Sequence, residues 1–286
     1  MSVGRIVTRL AVVRLLARIA IALATTLALV AIEQLLWGHL YFASPVSPGF
    51  ERRELAHVII YVERASPMQD FAWVDAWIEP TERFHQLHFA RKPSIYFFAS
   101  DITYARRVGV HAGGVTAPNG VIAIAPWVQR PDSDGSIWVK TYVRHELSHA
   151  ILAQNRDWFA MRGQPAWLGE GLAMYFANQR GTARYPTKSE TMAWIAKGNW
   201  VSPQTYGRKT ANDRAPDAPN RVLFAYSEFA CIVEDLDTRF GHEALLQYIH
   251  AMLATTDHDA VFRRVFGVAF NDYLTAFRDG ARATDP

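Results

Sequence analysis

The sequence predicts an α+β protein in which a small mixed or antiparallel sheet precedes a mainly helical half. Segments with strand-like composition occur in the first half of the chain, at 57–62, 94–99 and 121–125. A helix is predicted between the first two strands, at about 71–87. After residue 140, apolar residues recur at helical spacing. These predicted helices span 141–154, 165–179, 187–197, 221–239, 242–254, 257–265 and 270–281.

The first 42 residues predict a membrane-anchoring helix. Residues 19–32 carry no charge, and apolar character extends to Trp37, which gives about 28 Å of helix, enough for a thin bilayer. Basic residues before the run predict a cytoplasmic N-terminus and an external domain. They are Arg5, Arg9, Arg14 and Arg18. We expect a single-pass protein of an inner or plasma membrane, with its domain in the periplasm or outside the cell. The alternative is a cleaved signal and a secreted domain.

Residues 43–286 predict one domain with a neutral charge balance. The chain has 30 Lys and Arg and 27 Asp and Glu, of which the first 42 residues hold four and one, so 26 of each remain. A neutral domain disfavours nucleic acid as a partner. Cys231 is the one cysteine of the sequence, which excludes an intrachain disulfide. The Ser- and Pro-rich segment 44–49 predicts a spacer between helix and domain.

The strongest chemical signal is the pentapeptide 145–149, which has the pattern H-E-x-x-H inside the predicted helix 141–154. Because His145 and His149 lie four residues apart, their imidazoles share one helix face and are spaced to bind one Zn²⁺. Glu146 is then placed to accept a proton from a water molecule that the metal activates. An apolar stripe on the same helix predicts a core-facing side, formed by Val143, Leu147, Ala150 and Ile151.

Glu170 is the candidate third ligand, because a catalytic zinc site usually has three protein ligands and an open position for water. It lies in the predicted helix 165–179, where most neighbours are apolar. An unpaired carboxylate buried among them would be costly, and a cation removes that cost. Gly169 and Gly171 flank the carboxylate and permit a close approach of backbone or substrate. The sequence therefore predicts one zinc ion bound by the two histidines and this glutamate.

These two segments together resemble the gluzincin metallopeptidases, and their pattern is closest to the alanyl-aminopeptidase-like and peptidase MA-like bacterial families. In those families the third zinc ligand is the Glu of a W-L-x-E-G run, which is 167–171 here. The resemblance covers about residues 121–253 and implies a zincin-like fold that hydrolyses peptide bonds. It also implies that Glu146 is the general base. The implied zinc ligands are His145, His149 and Glu170.

A third segment, Y-S-E-F-A at 226–230, is similar to the Y-E-K-G-A segment of the same families. There the tyrosine hydroxyl stabilises the oxyanion of the tetrahedral intermediate, so the resemblance implies this role for Tyr226. The Lys-Gly of the family pattern is replaced here by Glu228 and Phe229.

A departure from the family pattern bears on the kind of peptidase. The aminopeptidases carry a G-A-M-E-N motif whose Glu binds the free amine of the substrate. The corresponding region here, 113–126, contains no acidic residue. An aminopeptidase is therefore disfavoured, and an endopeptidase is expected. Within this region, 121–125 predicts either an edge strand that aligns an extended peptide or a plain hairpin turned at 118–120.

Together these patterns predict a membrane-anchored zinc metallopeptidase that acts on a peptide or protein substrate. The alternative from another class is a membrane-tethered binding or scaffold protein whose zinc only stabilises the fold. Glu146 argues against it, since a structural site needs no general base. A third interpretation is a coincidental motif without metal. His85 and His88 lack a suitably spaced third ligand and are expected to pack or lie at the surface. The polar segment 198–220 predicts a loop that rims the cleft.

Overall fold

The computed structural model describes residues 3–66, 68, 70–132, 136–157, 165–182, 184–206 and 215–283. Within these residues the protein has the predicted α+β organisation, with strands in the first half and helices dominating the second. Of the predicted loop 198–220, residues 207–214 lie outside the described residues.

The described strands form one mixed sheet, which is one of the two predicted arrangements. They are β1 (Phe50–Glu54), β2 (Ile59–Glu63), β3 (Ser94–Phe97), β4 (Gly114–Thr116) and β5 (Ile122–Ile124). Their spatial order is β1-β2-β3-β5-β4. The central strands β2, β3 and β5 are parallel, and β1 and β4 pair antiparallel at the two edges.

The two edge strands are not predicted from the sequence. The sequence of β1 is F-E-R-R-E, and most of its charged side chains face solvent, which an edge strand tolerates. The strand β4 has three residues, too few for an alternating pattern. Since β5 lies between β3 and β4, the prediction that 121–125 is an edge strand is wrong. The hairpin is confirmed: the N–H of Gly120 donates to the carbonyl oxygen of Ala117 at 2.8 Å.

Helix α5 (Val139–Asn155) packs on one face of the sheet through the predicted apolar stripe. Val143, Leu147 and Ala150 are fully buried in one cluster with sheet residues. Those sheet residues include Ile95, Phe97, Ile122 and Ile124. The packing fixes the rotation of α5 about its axis, and its histidine face lines a cleft.

The remaining helices of the domain follow the prediction closely. The helices after α5 are α6 (Ala166–Ala177), α7 (Lys188–Ala196), α8 (Arg221–Phe240), α9 (His242–Met252), α10 (His258–Phe266) and α11 (Phe270–Ala283). Together with α5 they confirm all the helices predicted after residue 140, with every end within two residues of the prediction. The predicted helix 71–87 is divided into α2 (Ala72–Asp75) and α3 (Ile78–His85), and α4 (Asp101–Val108) is not predicted.

A close helix crossing holds α6 in place over α5. At Gly171 of α6, a Cβ atom would lie 2.6 Å from the carbonyl oxygen of Phe229 in α8, so glycine is needed for this approach. Trp167, Leu168 and Leu172 of α6 are fully buried in the core of the helical half. The position of Glu170, one residue before the crossing, is therefore set by the packing of α6 against α8.

Helix α1 (Val3–Leu36) precedes the domain. Its stretch Leu15–Leu36 has a mean hydropathy of 2.3, and none of its most apolar window is buried. By length and composition this stretch is able to cross a membrane.

The segment that follows α1 packs on the domain through Arg107 of α4. This arginine is 2% exposed and donates hydrogen bonds to the carbonyl oxygens of Leu36 at 2.8 Å and Pro48 at 3.0 Å. Its guanidinium group also lies over the rings of Tyr41 and Phe50. The predicted spacer region is therefore fixed to the domain rather than loosely tethered.

Candidate metal centre

Helices α5 and α6 bring the three predicted ligands together. The Nε2 atoms of His145 and His149 are 3.1 Å apart, and each lies 3.4 Å from Oε2 of Glu170. The side chain of His145 is buried, and those of His149 and Glu170 are 21% and 24% exposed toward a cleft. Within the described residues, this is the one group of His, Cys, Asp and Glu side chains that could share a metal ion.

The separations between these donor atoms fit a tetrahedral ion. With metal–ligand bonds of about 2.0–2.1 Å, tetrahedral geometry places two donors about 3.3–3.4 Å apart. The observed separations of 3.1–3.4 Å agree with that value. Two imidazole nitrogens and one carboxylate oxygen suit zinc and also other divalent transition metals. Among the described residues, no fourth His, Cys, Asp or Glu side chain joins the group.

The electrostatics of the group keep Glu170 ionised. Burial opposes ionisation, but the imidazoles of His149 and His145 outweigh it and hold the pKa of Glu170 well below its ordinary value. For His149, burial lowers the pKa, but the attraction of the Glu170 carboxylate is stronger. The net result is a raised pKa for His149. Glu170 is therefore an acceptor-only group that faces two ring nitrogens. The other ring nitrogen of His145, Nδ1, is buried and has no hydrogen-bond partner among the described residues.

Glu146 lies beside this group and is held by β4. Thr116 donates a hydrogen bond from Oγ1 to Oε2 of Glu146 at 2.7 Å. Gly114 approaches so closely that a Cβ there would lie 2.6 Å from Oε1. The glutamate is 4% exposed, yet it lines the cleft. The carboxylate of Glu146 therefore lines the same cleft as the three donor atoms without being one of them.

Neither Thr116 nor Gly114 is predicted from the sequence as a functional residue. Their contact joins β4 to α5 across 30 residues of chain, so no local pattern reports it. One signal could have indicated it: Gly113 and Gly114 are consecutive glycines at the start of a strand, where glycine often marks a close backbone approach.

Tyrosine side chains also line the cleft, namely Tyr142, Tyr185 and Tyr226. Burial raises the pKa of the predicted Tyr226 well above its ordinary value, and the carboxylate of Glu170 raises it further. Tyr185, which is not predicted, has its pKa raised by burial and by its hydrogen-bonded neighbour Tyr142. The hydroxyls of Tyr226 and Tyr185 therefore stay protonated at neutral pH and can donate hydrogen bonds.

On the opposite side of α5, the middle of the H-E-x-x-H segment is bonded to α3. Ser148 is fully buried, and its Oγ lies 2.8 Å from Nε2 of His85. Nδ1 of His85 donates to the carbonyl oxygen of Thr81 at 2.8 Å, so Nε2 accepts from the serine hydroxyl. Burial lowers the pKa of His85 to about 4, which keeps the ring neutral. The packing role expected for His85 is confirmed, and His88 lies at the surface.

The metal group opens into a cleft of about 1090 Å³. Its lining combines β4 and the turn after it, the histidine face of α5, Tyr185 and the start of α8. Phe42, shortly after α1, and Asn220, from the predicted rim loop, also line it. The volume slightly exceeds the roughly 300–1,000 Å³ of small-molecule pockets.

Comparison with known proteins adds no family. No protein-family model matches the chain, and no curated protein matches it. The function of the cleft is therefore inferred from its own side chains, and the resemblance to the gluzincins stays a prediction.

Proposed function

We propose that the protein is a membrane-anchored, zinc-dependent peptidase of the gluzincin type that cleaves within peptide or protein chains. One observation carries this proposal: three donor atoms lie 3.1–3.4 Å apart beside a buried carboxylate that is not one of them. A structural metal site has no use for such a carboxylate and is normally closed by a fourth ligand. The described residues supply no fourth ligand.

His145, His149 and Glu170 would hold one zinc ion. When bound, the ion supplies Lewis acidity, which polarises a substrate carbonyl and lowers the pKa of a water molecule. The two imidazole nitrogens favour zinc over magnesium or calcium, which prefer oxygen ligands.

Glu146 would accept a proton from the attacking water and deliver it to the leaving amine. The hydrogen bond from Thr116 engages Oε2 and leaves Oε1 available for the proton. The absence of a side chain at Gly114 lets its backbone pack closely against Oε1 without a clash. Thr116 is thus a positioning residue for the base.

Tyr226 would donate a hydrogen bond to the oxyanion that forms on the scissile carbonyl. A donor of this kind typically contributes about 2.7–4 kcal/mol to the stability of the transition state. The raised pKa of Tyr226 supports this role, since the hydroxyl must carry its proton. Tyr185 is a second candidate donor because it lines the same cleft.

An extended substrate would add to the sheet at β4. This strand is an edge strand, and edge strands offer backbone N–H and C=O groups to an added chain. Because this pairing uses backbone hydrogen bonds, it would bind chains of many sequences. Region 113–126 has no acidic residue to bind a free amine, which favours cleavage within a chain over removal of N-terminal residues.

The test compares the full-length protein with its Glu146→Gln variant on a peptide library. We expect both to bind one equivalent of zinc. The unmodified protein should cleave peptides, lose this activity with a chelator and regain it with zinc. Glu146→Gln should lower the rate by about 100- to 10,000-fold, because the proton acceptor is removed. Glu243→Gln, on the exposed surface of α9, is the matched control.

Each other outcome identifies a rival. Full activity in Glu146→Gln would overturn the assignment of the base. Bound zinc without cleavage of any peptide would support the membrane-tethered scaffold with a structural metal. A protein that binds no zinc would show that the motif is coincidental.

A further inference from the structure

The charged residues that line the cleft are unequally distributed. The acidic ones, Glu146 and Glu170, both belong to the metal centre. The arginines, Arg91, Arg156 and Arg184, all lie outside it. Among the described lining residues, the cleft therefore offers positive charge to a ligand, while its negative charges are already engaged.

Arg156 has an unusual environment for an arginine. It follows α5 directly, and its charge acts on His149, the metal ligand two turns earlier. Its Nε atom is fully buried and has no hydrogen-bond partner among the described residues. No ion pair with it is found within the described ranges, and burial lowers the pKa of its guanidinium group. The side chain as a whole is partly exposed, and a partly buried cation without an ion pair is stabilised by an anionic ligand.

The two other arginines of the cleft have partners. The guanidinium group of Arg184 lies 4.1 Å from the ring centroid of Trp127, a favourable cation–π distance. Arg91 is exposed and donates to the carbonyl oxygen of Asn119. Of the three, Arg156 is the arginine whose burial no described group compensates.

We propose that Arg156 forms a carboxylate-binding subsite, so that the preferred substrates are peptides with a carboxylate located toward the C-terminal end of α5. This inference rests on the proposed peptidase function. A carboxylate can accept two parallel hydrogen bonds from one guanidinium group. Such a pair would neutralise the charge of Arg156, for which the described residues supply no ion pair. Specificity follows, because a neutral peptide would leave the guanidinium group of Arg156 without an ion pair in the cleft.

Two groups on a peptide present this chemistry, namely a free C-terminus and the side chain of Asp or Glu. Both place two oxygens in one plane, as the guanidinium fork requires. A C-terminal carboxylate would place cleavage near the end of a chain and would replace the proposed cleavage within chains. A side-chain carboxylate would make it an endopeptidase with a preference for acidic sequences.

The experiment measures peptide binding by the zinc-loaded, full-length Glu146→Gln protein in detergent, so that turnover does not interfere. Three labelled peptides share one neutral sequence: the first has a free C-terminus, the second is amidated, and the third is amidated with one Asn replaced by Asp. Arg156→Met removes the charge at similar length, and Arg156→Lys keeps the charge without the fork. Arg264→Met, on the exposed surface of α10, controls for a general loss of positive charge.

We expect one of the two carboxylate peptides to bind about 10-fold more tightly than the amidated neutral peptide. Arg156→Met should abolish this difference, Arg156→Lys should restore part of it, and Arg264→Met should leave it unchanged. The peptide that gains affinity identifies the source of the carboxylate. Zinc content and the thermal unfolding midpoint report whether Arg156→Met folds. If it does not fold, the affinity difference between carboxylate and neutral peptides is compared in Arg156→Lys instead.

Equal affinity for the three peptides would overturn the subsite, as would a carboxylate preference that survives Arg156→Met. The two proposals fail in distinguishable ways. A carboxylate preference that depends on Arg156, in a protein that hydrolyses no peptide, would defeat the peptidase and leave the subsite intact. Hydrolysis without any carboxylate preference would defeat the subsite and leave the proposed peptidase function intact.

Discussion

The pKa values of two buried carboxyl groups are shifted in opposite directions, one in the cleft and one in the interior behind it. In the cleft, Glu170 faces two imidazoles, and its pKa is lowered in spite of burial. In the interior, Glu228 of α8 is fully buried, accepts one hydrogen bond from the N–H of Val201, and has its pKa raised well above its ordinary value. Burial also keeps His85 neutral. Burial drives all three groups toward the neutral form, and the cleft supplies charged partners that reverse this tendency.

The comparison also explains a departure from the gluzincin-like pattern. Glu228 and Phe229 stand where that pattern has Lys-Gly, and both are fully buried. Phe229 packs against Gly171 through its backbone, and a protonated Glu228 is a hydrogen-bonding core residue. The segment therefore serves packing at these positions, while Tyr226, two residues earlier, lines the cleft.

The largest expected effect distinguishes the two carboxyl groups directly. Glu170→Gln should lower zinc affinity by more than about 100-fold, because losing a direct ligand costs more than losing a group that only orients one. Glu228→Gln should leave zinc affinity unchanged, since its carboxyl group is already neutral and is hydrogen-bonded to Val201, not to a candidate ligand. Zinc content after dialysis against graded chelator concentrations measures both. An equal loss in the two variants would contradict the division between cleft and interior.

The second prediction concerns acid stability and His85. Its pKa is about 4 in the folded state and 6.5 in the reference state, so between these values the unfolded chain binds more protons. This contribution to stability is fully present above pH 6.5 and is lost as the pH falls toward 4, up to about 3 kcal/mol. His85→Gln should therefore lose less stability than the unmodified protein across this range, although it starts lower at pH 7.

Urea unfolding in detergent at a series of pH values measures this slope. His88→Gln, at an exposed position of the same region, is the control and should keep the original slope. An unchanged slope in His85→Gln would show that the buried imidazole does not titrate as its surroundings indicate.

The smallest effect has the opposite sign and concerns Glu228. Because its pKa is raised in the folded state, the unfolded chain releases this proton first, and stability falls as the pH rises above about 4.5. Glu228→Gln cannot release a proton and keeps an acceptor for Val201. Between pH 4.5 and 5.5 its stability should therefore rise relative to the unmodified protein by at most about 1.4 kcal/mol. Glu243→Gln should show no such gain in the same unfolding series, and a flat difference for Glu228→Gln would count against a neutral carboxyl group.

How much of the fold can be predicted from sequence depends on how well burial follows hydrophobicity. The helices from α5 to α11 are predicted because their apolar residues recur at helical spacing and are buried. Helix α4 is missed because its pattern is inverted: Ile102 is 82% exposed, whereas Arg107 is 2% exposed. The strand β4 is missed because three residues, one of them Gly114, carry no recognisable alternation.

The candidate site shows the same limit. His145, Glu146 and His149 are predictable because their spacing on one helix fixes their common face. The contact of Thr116 with Glu146 depends on how β4 packs against α5, which no local pattern encodes. The burial of Arg156 is also a property of the folded chain.

The attachment of Arg107 to the segment after α1 bears on how far the cleft can reach. Phe42, which lines the cleft, lies six positions after Leu36, a chain length of at most about 20 Å. With α1 embedded in a bilayer, the segment bound to Arg107 would restrict the rotation of the domain that a flexible linker would permit. The cleft would then stay at a nearly constant distance from the lipid surface and at a nearly constant angle to it. For the proposed peptidase, polypeptides that extend only a short way from the same leaflet would come within reach, and bonds far from the membrane would not.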